Sequence, residues 1–417
     1  MRKLALLFLT GTLPFCAQAP SKTSATSPKL TPRKPAPKPA TPTKLSPQQQ
    51  FVLDVVRSAV GRQQQDPQDR LRVLATAIDV VRPVNPKMAA QYATEAAHIE
   101  AQLIAAGETP VASVMESGQV SCSTATQFVD ELPPQRATQA EQSIIGAATV
   151  CPAATQAAQA KLDVAMGQGQ VAPRALMAVA ERAGVKSQWS QSRFQQMIEH
   201  LPDPASARDD APNIAAMYDR MSREVDKDVA QKTGLALLDW LSKLQDGPQK
   251  NLSVKIVTGA MSQSLGKERY QEALRSDVIA QQVSNVTGSM EVPRPEEENS
   301  SVMNAMRTKG QDQSEAIRGL PPILRAKEAS AAGFAEGTQG NKTLAGKYFD
   351  IAFSALDDAW QSPTRPKNAA PTIEEVCSAS AQVDYVDALK RAEHLSASAE
   401  QSIAMLAVAR VVLGKSM

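Results

Sequence analysis

Residues 46–107, SPQQQFVLDVVRSAVGRQQQDPQDRLRVLATAIDVVRPVNPKMAAQYATEAAHIEAQLIAAG, carry the same punctuation three times. Ser46-Pro47, Asp66-Pro67 and Asn85-Pro86 each place a side-chain acceptor before a proline. Proline has no N–H to lose at the first helical position, and the preceding oxygen accepts from an orphan N–H one turn in. Each pair therefore predicts a helix start. In the second helix Leu71, Leu74, Ala75, Ile78 and Val81 fall on one face. Met88, Tyr92, Ala96, Ile99 and Leu103 do so in the third. Gly107 then supplies a left-handed C-terminal cap.

The pattern runs outward from these three helices to the C-terminus. Further helices are predicted over 122–131, 136–149, 153–166, 173–183, 188–200, 211–225, 227–245, 248–264 and 267–283. They continue over 296–308, 312–318, 322–335, 341–360, 373–392 and 398–413. Breaks fall at Pro133-Pro134, Asp203-Pro204, Gly247-Pro248, Pro293 to Pro295, Pro321-Pro322 and Pro363 to Pro371. No alternating strand run interrupts them, and aromatics are only 4% of the chain. The fold class is therefore all-α, and short connections imply antiparallel neighbours stacked as hairpins.

The two ends of this helical body repeat one another. Asn85, Met88, Ala89, Tyr92 and Ala96 recur at the same spacing as Asn341, Leu344, Ala345, Tyr348 and Ala352. Leu71-x-Val73-Leu74-Ala75-x-Ala77 recurs as Ile403-x-Met405-Leu406-Ala407-x-Ala409, and Asp54-x-x-Arg57-x-Ala59 as Asp387-x-x-Lys390-x-Ala392. Tyr92 and Tyr348 are both expected to be buried on the repeated stripe. These units resemble tetratricopeptide-like helical-repeat proteins. The resemblance covers the two ends of the body and is to the superfold alone; it implies a helical solenoid with an extended binding surface. The helical region divides into 47–290 and 291–417.

Before the body lie two segments of different character. Arg2 and Lys3, the apolar run Leu4 to Leu13 and Ala17-Gln18-Ala19 read as a signal peptide cut after Ala19. An alternative makes Cys16 a lipid-modified residue, against which stands the bulky Phe15. Either reading places the mature chain outside the cytoplasm, in the bacterial periplasm or secreted. Residues 20–46 form a Pro/Lys/Thr-rich arm without an acidic residue. Such composition cannot repay the entropy of ordering, so the arm is expected to be disordered. Lys22, Lys29, Arg33, Lys34, Lys38 and Lys44 would touch an anionic envelope polymer or surface; the plainer reading is a spacer. No later segment is apolar enough to cross a bilayer.

The whole chain has 45 basic and 43 acidic residues. Without the signal and the arm it has 37 and 43. A mildly acidic body argues against nucleic acid as partner.

Few residues suggest chemistry. Of three histidines, His98 shares a helix face with Glu95, and His200 and His394 each end a predicted helix. A histidine at a helix C-terminus can bond terminal carbonyls, so the last two read as caps, and His98 as an exposed face residue. Lys232-Thr233-Gly234 and Ser264-x-x-Lys267 echo a serine-acylase pattern in the wrong order and on a helix, so no catalytic, metal or cofactor residue is assigned. Cys122 and Cys151 flank a predicted hairpin and are a candidate disulfide in an oxidising compartment. Their predicted arms are unequal, and the bridge requires one helix to be shorter than its pattern suggests. Cys377 reads as a small buried residue. Trp189, Trp240 and Trp360 read as packing between hairpins, the alternative being an aromatic-lined groove. The expected function is a non-enzymatic scaffold that binds a protein or peptide at the cell envelope. The alternatives are an exported enzyme on a helical scaffold and a structural envelope component.

Overall fold

The computed structural model describes residues 45–118, 120–201, 203–204, 210–280, 313–366 and 368–414. The signal peptide, Cys16, all six of the arm's cations and the helix expected over 296–308 lie outside these residues. The boundary between 290 and 291 does too. Within them the chain is all-helical.

The first three helices begin where local chemistry dictates. Helix α1 spans Pro47–Gly61, α2 Pro67–Val81 and α3 Pro86–Ala106. Ser46 and Gln49 form a reciprocal capping box, Asp66 accepts from the Gln68 N–H, and Asn85 accepts from the Met88 N–H. Gly107 closes α3 with φ at 88°, a backbone region that costs glycine least. Helices α4 (Cys122–Glu131), α5 (Glu141–Val150), α6 (Pro152–Gly167), α7 (Pro173–Ala183) and α8 (Gln188–Glu199) follow. Next come α9 (Ala211–Met221), α10 (Lys227–Ser242), α11 (Pro248–Leu265) and α12 (Lys267–Ser276). The C-terminal set is α13 (Ser314–Arg318), α14 (Pro322–Thr338), α15 (Lys342–Trp360), α16 (Ala369–Glu393) and α17 (Ser398–Gly414).

Several elements depart from the periodic pattern: α9 stops at Met221 rather than near 225, and α12 at Ser276 rather than near 283, and two others change more. The helix expected over 136–149 starts only at Glu141, because Pro134–Arg136 forms a single 3-10 turn. Helix α16 is broken at Asp384, whose φ of −150° and ψ of 103° are extended. Asp384 Oδ1 then accepts from the N–H groups of Val386 and Asp387, capping the second arm.

Helices pack on their next and next-but-one neighbours: α2 on α3, α4 on α6, α5 on α7, α9 on α11, α14 on α15 and on α16. The last helix does something more. α17 packs on α16 and also on α1 and α2, so the C-terminal helices continue the stack that α1 begins. This explains the composition of α17, in which twelve residues from Ala399 to Leu413 are buried. A helix apolar on all sides needs neighbours on all sides. α2 is buried almost as completely for the same reason, including Val73, Thr76, Ala77 and Val80 off its expected stripe.

Close approach accounts for other residues. A Cβ on Gly234 would stand 2.5 Å from Tyr218 Oη. The glycine lets α10 sit against α9, and Tyr218, wholly buried, donates to the Ala230 carbonyl at 2.7 Å. Lys232-Thr233-Gly234 is thus helix packing. Among the described residues no helix is long and apolar enough to cross a membrane.

Candidate functional site

The concave features of the molecule lie between neighbouring helices, and the most electrostatically unusual lies where the two ends of the chain meet. There the α1–α2 link faces the start of α17. Ser398 Oγ donates to the Gln63 carbonyl at 2.7 Å, Ser402 Oγ to the Ala59 carbonyl at 2.8 Å, and Arg62 to Gln401 Oε1. Arg365, from the α15–α16 link, donates to Asp69 Oδ1 at 2.7 Å and lies 4.0 Å above the Trp360 ring. Gln63, Ser398, Asp69, Arg365 and Trp360 line a cavity of about 320 Å³ with Asp66 and Gln64. Burial pushes the Asp69 carboxyl up, and the Arg365 ion pair opposes it.

Glu400 sits behind this cavity, in the first turn of α17, with no exposed surface. Neither carboxylate oxygen has a hydrogen-bond partner among the described residues. Burial, reinforced by the charge of Asp357, pushes it up to about 9, so it is a neutral acid at neutral pH. Asp357 is itself engaged, accepting from the Ser396 N–H at 2.8 Å. The charge of Asp357 bears on Glu400, but Glu400 does not open to the cavity, so the two carboxyls do not supply a solvent-facing acid–base centre. Behind it Cys377 is wholly buried, its thiol pushed up by burial and then by Glu400 and Glu374. A thiol so held is a core residue and not a nucleophile.

A second groove, about 200 Å³, runs between α3 and α4 and contains Glu95, His98 and Glu131. Glu95 turns away from His98 to pair with Arg70 at 2.7 Å. His98 Nδ1 lies 3.0 Å from Glu131 Oε2 and its Nε2 lies 2.8 Å from Gln102 Nε2. The helical Glu95–His98 spacing thus yields two separate polar pairs. His200 and His394 are C-caps of α8 and α16, and their Nδ1 atoms lie 2.9 and 2.6 Å from the Gln196 and Lys390 carbonyls.

A third groove, about 410 Å³, is bounded by the α5–α6 junction and the end of α7. Thr149, Gln156, Gln159 and Arg182 line it, and Cys151 stands on its wall. The structure brings Cys151 to Cys122, with Cα atoms 5.7 Å apart and the sulfurs bonded. The late start of α5 makes the proximity possible. With α4 and α5 each ten residues long, the two arms match, and Cys122 at the start of one meets Cys151 just past the end of the other.

A fourth cavity, about 280 Å³, lies between the broken helix α16 and α15. Its buried Ser380 hydroxyl has no hydrogen-bond partner. Nothing in the sequence signals this cavity except Asp384, a residue type suited to capping a helix that restarts.

The tryptophans serve packing. Trp240 and Trp360 are buried, and the half-buried Trp189 donates to Asp163 Oδ1 at 2.8 Å. Among the described residues no cluster of histidine, cysteine and carboxylate side chains has the arrangement to hold a metal ion. No protein-family model, curated protein or solved structure matches the chain.

Proposed function

We propose that this is an exported, tetratricopeptide-like helical-repeat scaffold that binds another protein or peptide along the grooves between its helices. One observation carries the reading: helices adjacent in the chain pack on one another, several also reach the next-but-one (α4 on α6, α5 on α7, α7 on α9, α9 on α11, α14 on α16), and the C-terminal helices extend the same stack through α17. Stacking of that kind leaves a row of open inter-helix grooves, and repeat arrays bind extended partners on such surfaces. The grooves are lined by threonine, glutamine and a few charged groups, a mix suited to backbone and polar side chains of a peptide. The disulfide between Cys122 and Cys151 fits an oxidising compartment. The basic arm would hold the mildly acidic body near an anionic envelope polymer or surface.

The test uses the mature chain as bait for its own envelope fraction. A partner retained by the natural chain and released by Gln159→Glu with Arg182→Glu supports docking in the α5–α7 groove. Equal capture by both baits, or none by either, overturns it. Co-sedimentation with envelopes at low and high salt tests the arm: pelleting lost with added salt and with deletion of residues 20–44 supports it.

A further inference from the structure

We propose that the broken helix α16 and the first two turns of α15 form a pocket for a small zwitterion, a free amino acid or a dipeptide. The break at Asp384 makes the cavity. Ser380 and Val383 line it from the first arm of α16, Asp387 and Arg391 from the second, and α15 supplies the floor. At about 280 Å³ it lies just under the roughly 300–1,000 Å³ of pockets that hold drug-sized ligands, so its occupant is small.

The lining points to a ligand. Ser380 is 1% exposed, yet its Oγ has no hydrogen-bond partner among the described residues. A buried serine on a helix ordinarily bonds back to the carbonyl one turn earlier, and here it does not. Its hydroxyl is left for something in the cavity. Phe349 and Val383 give that occupant an apolar wall.

Groups of both charges face the same space. Arg391 is held in place by two carboxylates, its Nε donating to Asp387 Oδ2 at 2.7 Å and its Nη1 to Asp350. Its Nη2 makes no hydrogen bond among the described residues. That nitrogen lies 3.8 Å from where a Cβ on Gly346 would stand, in the gap the glycine leaves. Lys342, at the same wall, has no ion pair among the described residues. Asp384 uses Oδ1 for its two backbone N–H groups and leaves Oδ2 unengaged. A simple anion would meet Asp384 and Asp387, and a simple cation would meet Arg391 and Lys342. A molecule bearing a carboxylate and an ammonium satisfies both sets with charge-assisted hydrogen bonds.

Isothermal titration of the mature chain decides the matter, with L-leucine and the dipeptide Ala-Leu as zwitterions. Leucinamide lacks the carboxylate and N-acetylleucine lacks the ammonium. Saturable binding of either zwitterion is expected, the two titrations telling a free amino acid from a dipeptide, and each one-charge analogue should bind roughly tenfold or more weakly. Gly346→Leu should abolish binding by filling the gap, and circular dichroism checks its fold. Ser380→Ala removes only a hydroxyl without a partner, so it should fold normally and weaken binding several-fold. No saturable heat with either zwitterion, equal binding of a one-charge analogue, or undiminished binding by both variants would overturn the proposal.

Discussion

The N-terminal and C-terminal helices of the chain bury one glutamate each, and they treat it in opposite ways. Glu100, on α3, is fully buried and accepts from Ser113 Oγ and Ser143 Oγ, each at 2.6 Å, and from the Val114 N–H at 3.0 Å. It ties the link after α3 to α5. Burial raises its carboxyl, and those donors pull it back. Glu400, on α17, is equally buried and has no hydrogen-bond partner among the described residues. The sequence stripes of the two ends repeat one another, yet only one end satisfies its buried acid. Repetition of apolar residues therefore fixes which faces pack and leaves the polar accounting to each copy. Of the buried polar atoms without a partner among the described residues, those of Glu400, Ser380 and Arg325 fall in the C-terminal helices and Arg62 Nε in the N-terminal α1–α2 link.

The largest effect expected from this contrast is on pH. A carboxyl raised to about 9 from the ordinary 4.5 favours the fold while it is protonated. That contribution is complete below about pH 4.5 and drains as pH rises toward 9. Between pH 5 and 9 it amounts to on the order of 4 kcal/mol. Glu400→Gln should keep that stability, flattening the pH dependence of urea midpoints across this range. An unchanged profile would mean that Glu400 is hydrated or paired in solution. Glu100→Ala, by contrast, should destabilise at neutral pH by leaving two hydroxyls and an N–H without an acceptor, about 3 kcal/mol.

The N-terminal side also has a covalent brace. The bridge from Cys122 to Cys151 closes a separation of 29 residues. By loop entropy, removing it through paired alanine substitutions should cost about 3.5 kcal/mol. Denaturation with and without reductant gives the same comparison on the natural chain.

The repeated tyrosines come next. Tyr348 is 2% exposed and its hydroxyl accepts from the Gln313 N–H at 2.9 Å. Tyr92, expected to match it, is only half-buried. Tyr348→Ala should therefore cost about 3 kcal/mol and Tyr92→Ala about half that. Equal losses would restore the symmetry that the stripes suggest.

The smallest effect concerns the repeated asparagines. Asn85 caps α3, whereas Asn341 turns its side chain to Glu336 Oε2 at 3.0 Å and leaves α15 without a side-chain cap. Asn85→Ala should cost about 1 kcal/mol and Asn341→Ala a few tenths, measured by thermal melts.

Helix positions and most boundaries were legible in the sequence because they depend on groups within one turn of each other. A cap before Pro47, Pro67 or Pro86, a glycine after α3 and a histidine at the end of α8 act through bonds to residues three or four away. The all-helical class follows from the same local rules. The candidate sites did not, because each depends on which distant helix arrives. Nothing near Glu400 in sequence says that α17 will lie against α1 and α2 and bury its first turn. Nothing around Cys151 says that a 3-10 turn will delay α5 and level the arms of the bridge. Asp384 offers a cap, but an unbroken α16 would use only local bonds as well; the break becomes visible only in the packed structure, where both arms close on α15. Local hydrogen bonding sets where helices begin and end, whereas cavities, buried charges and neighbours arise from the summed packing of surfaces far apart in the chain.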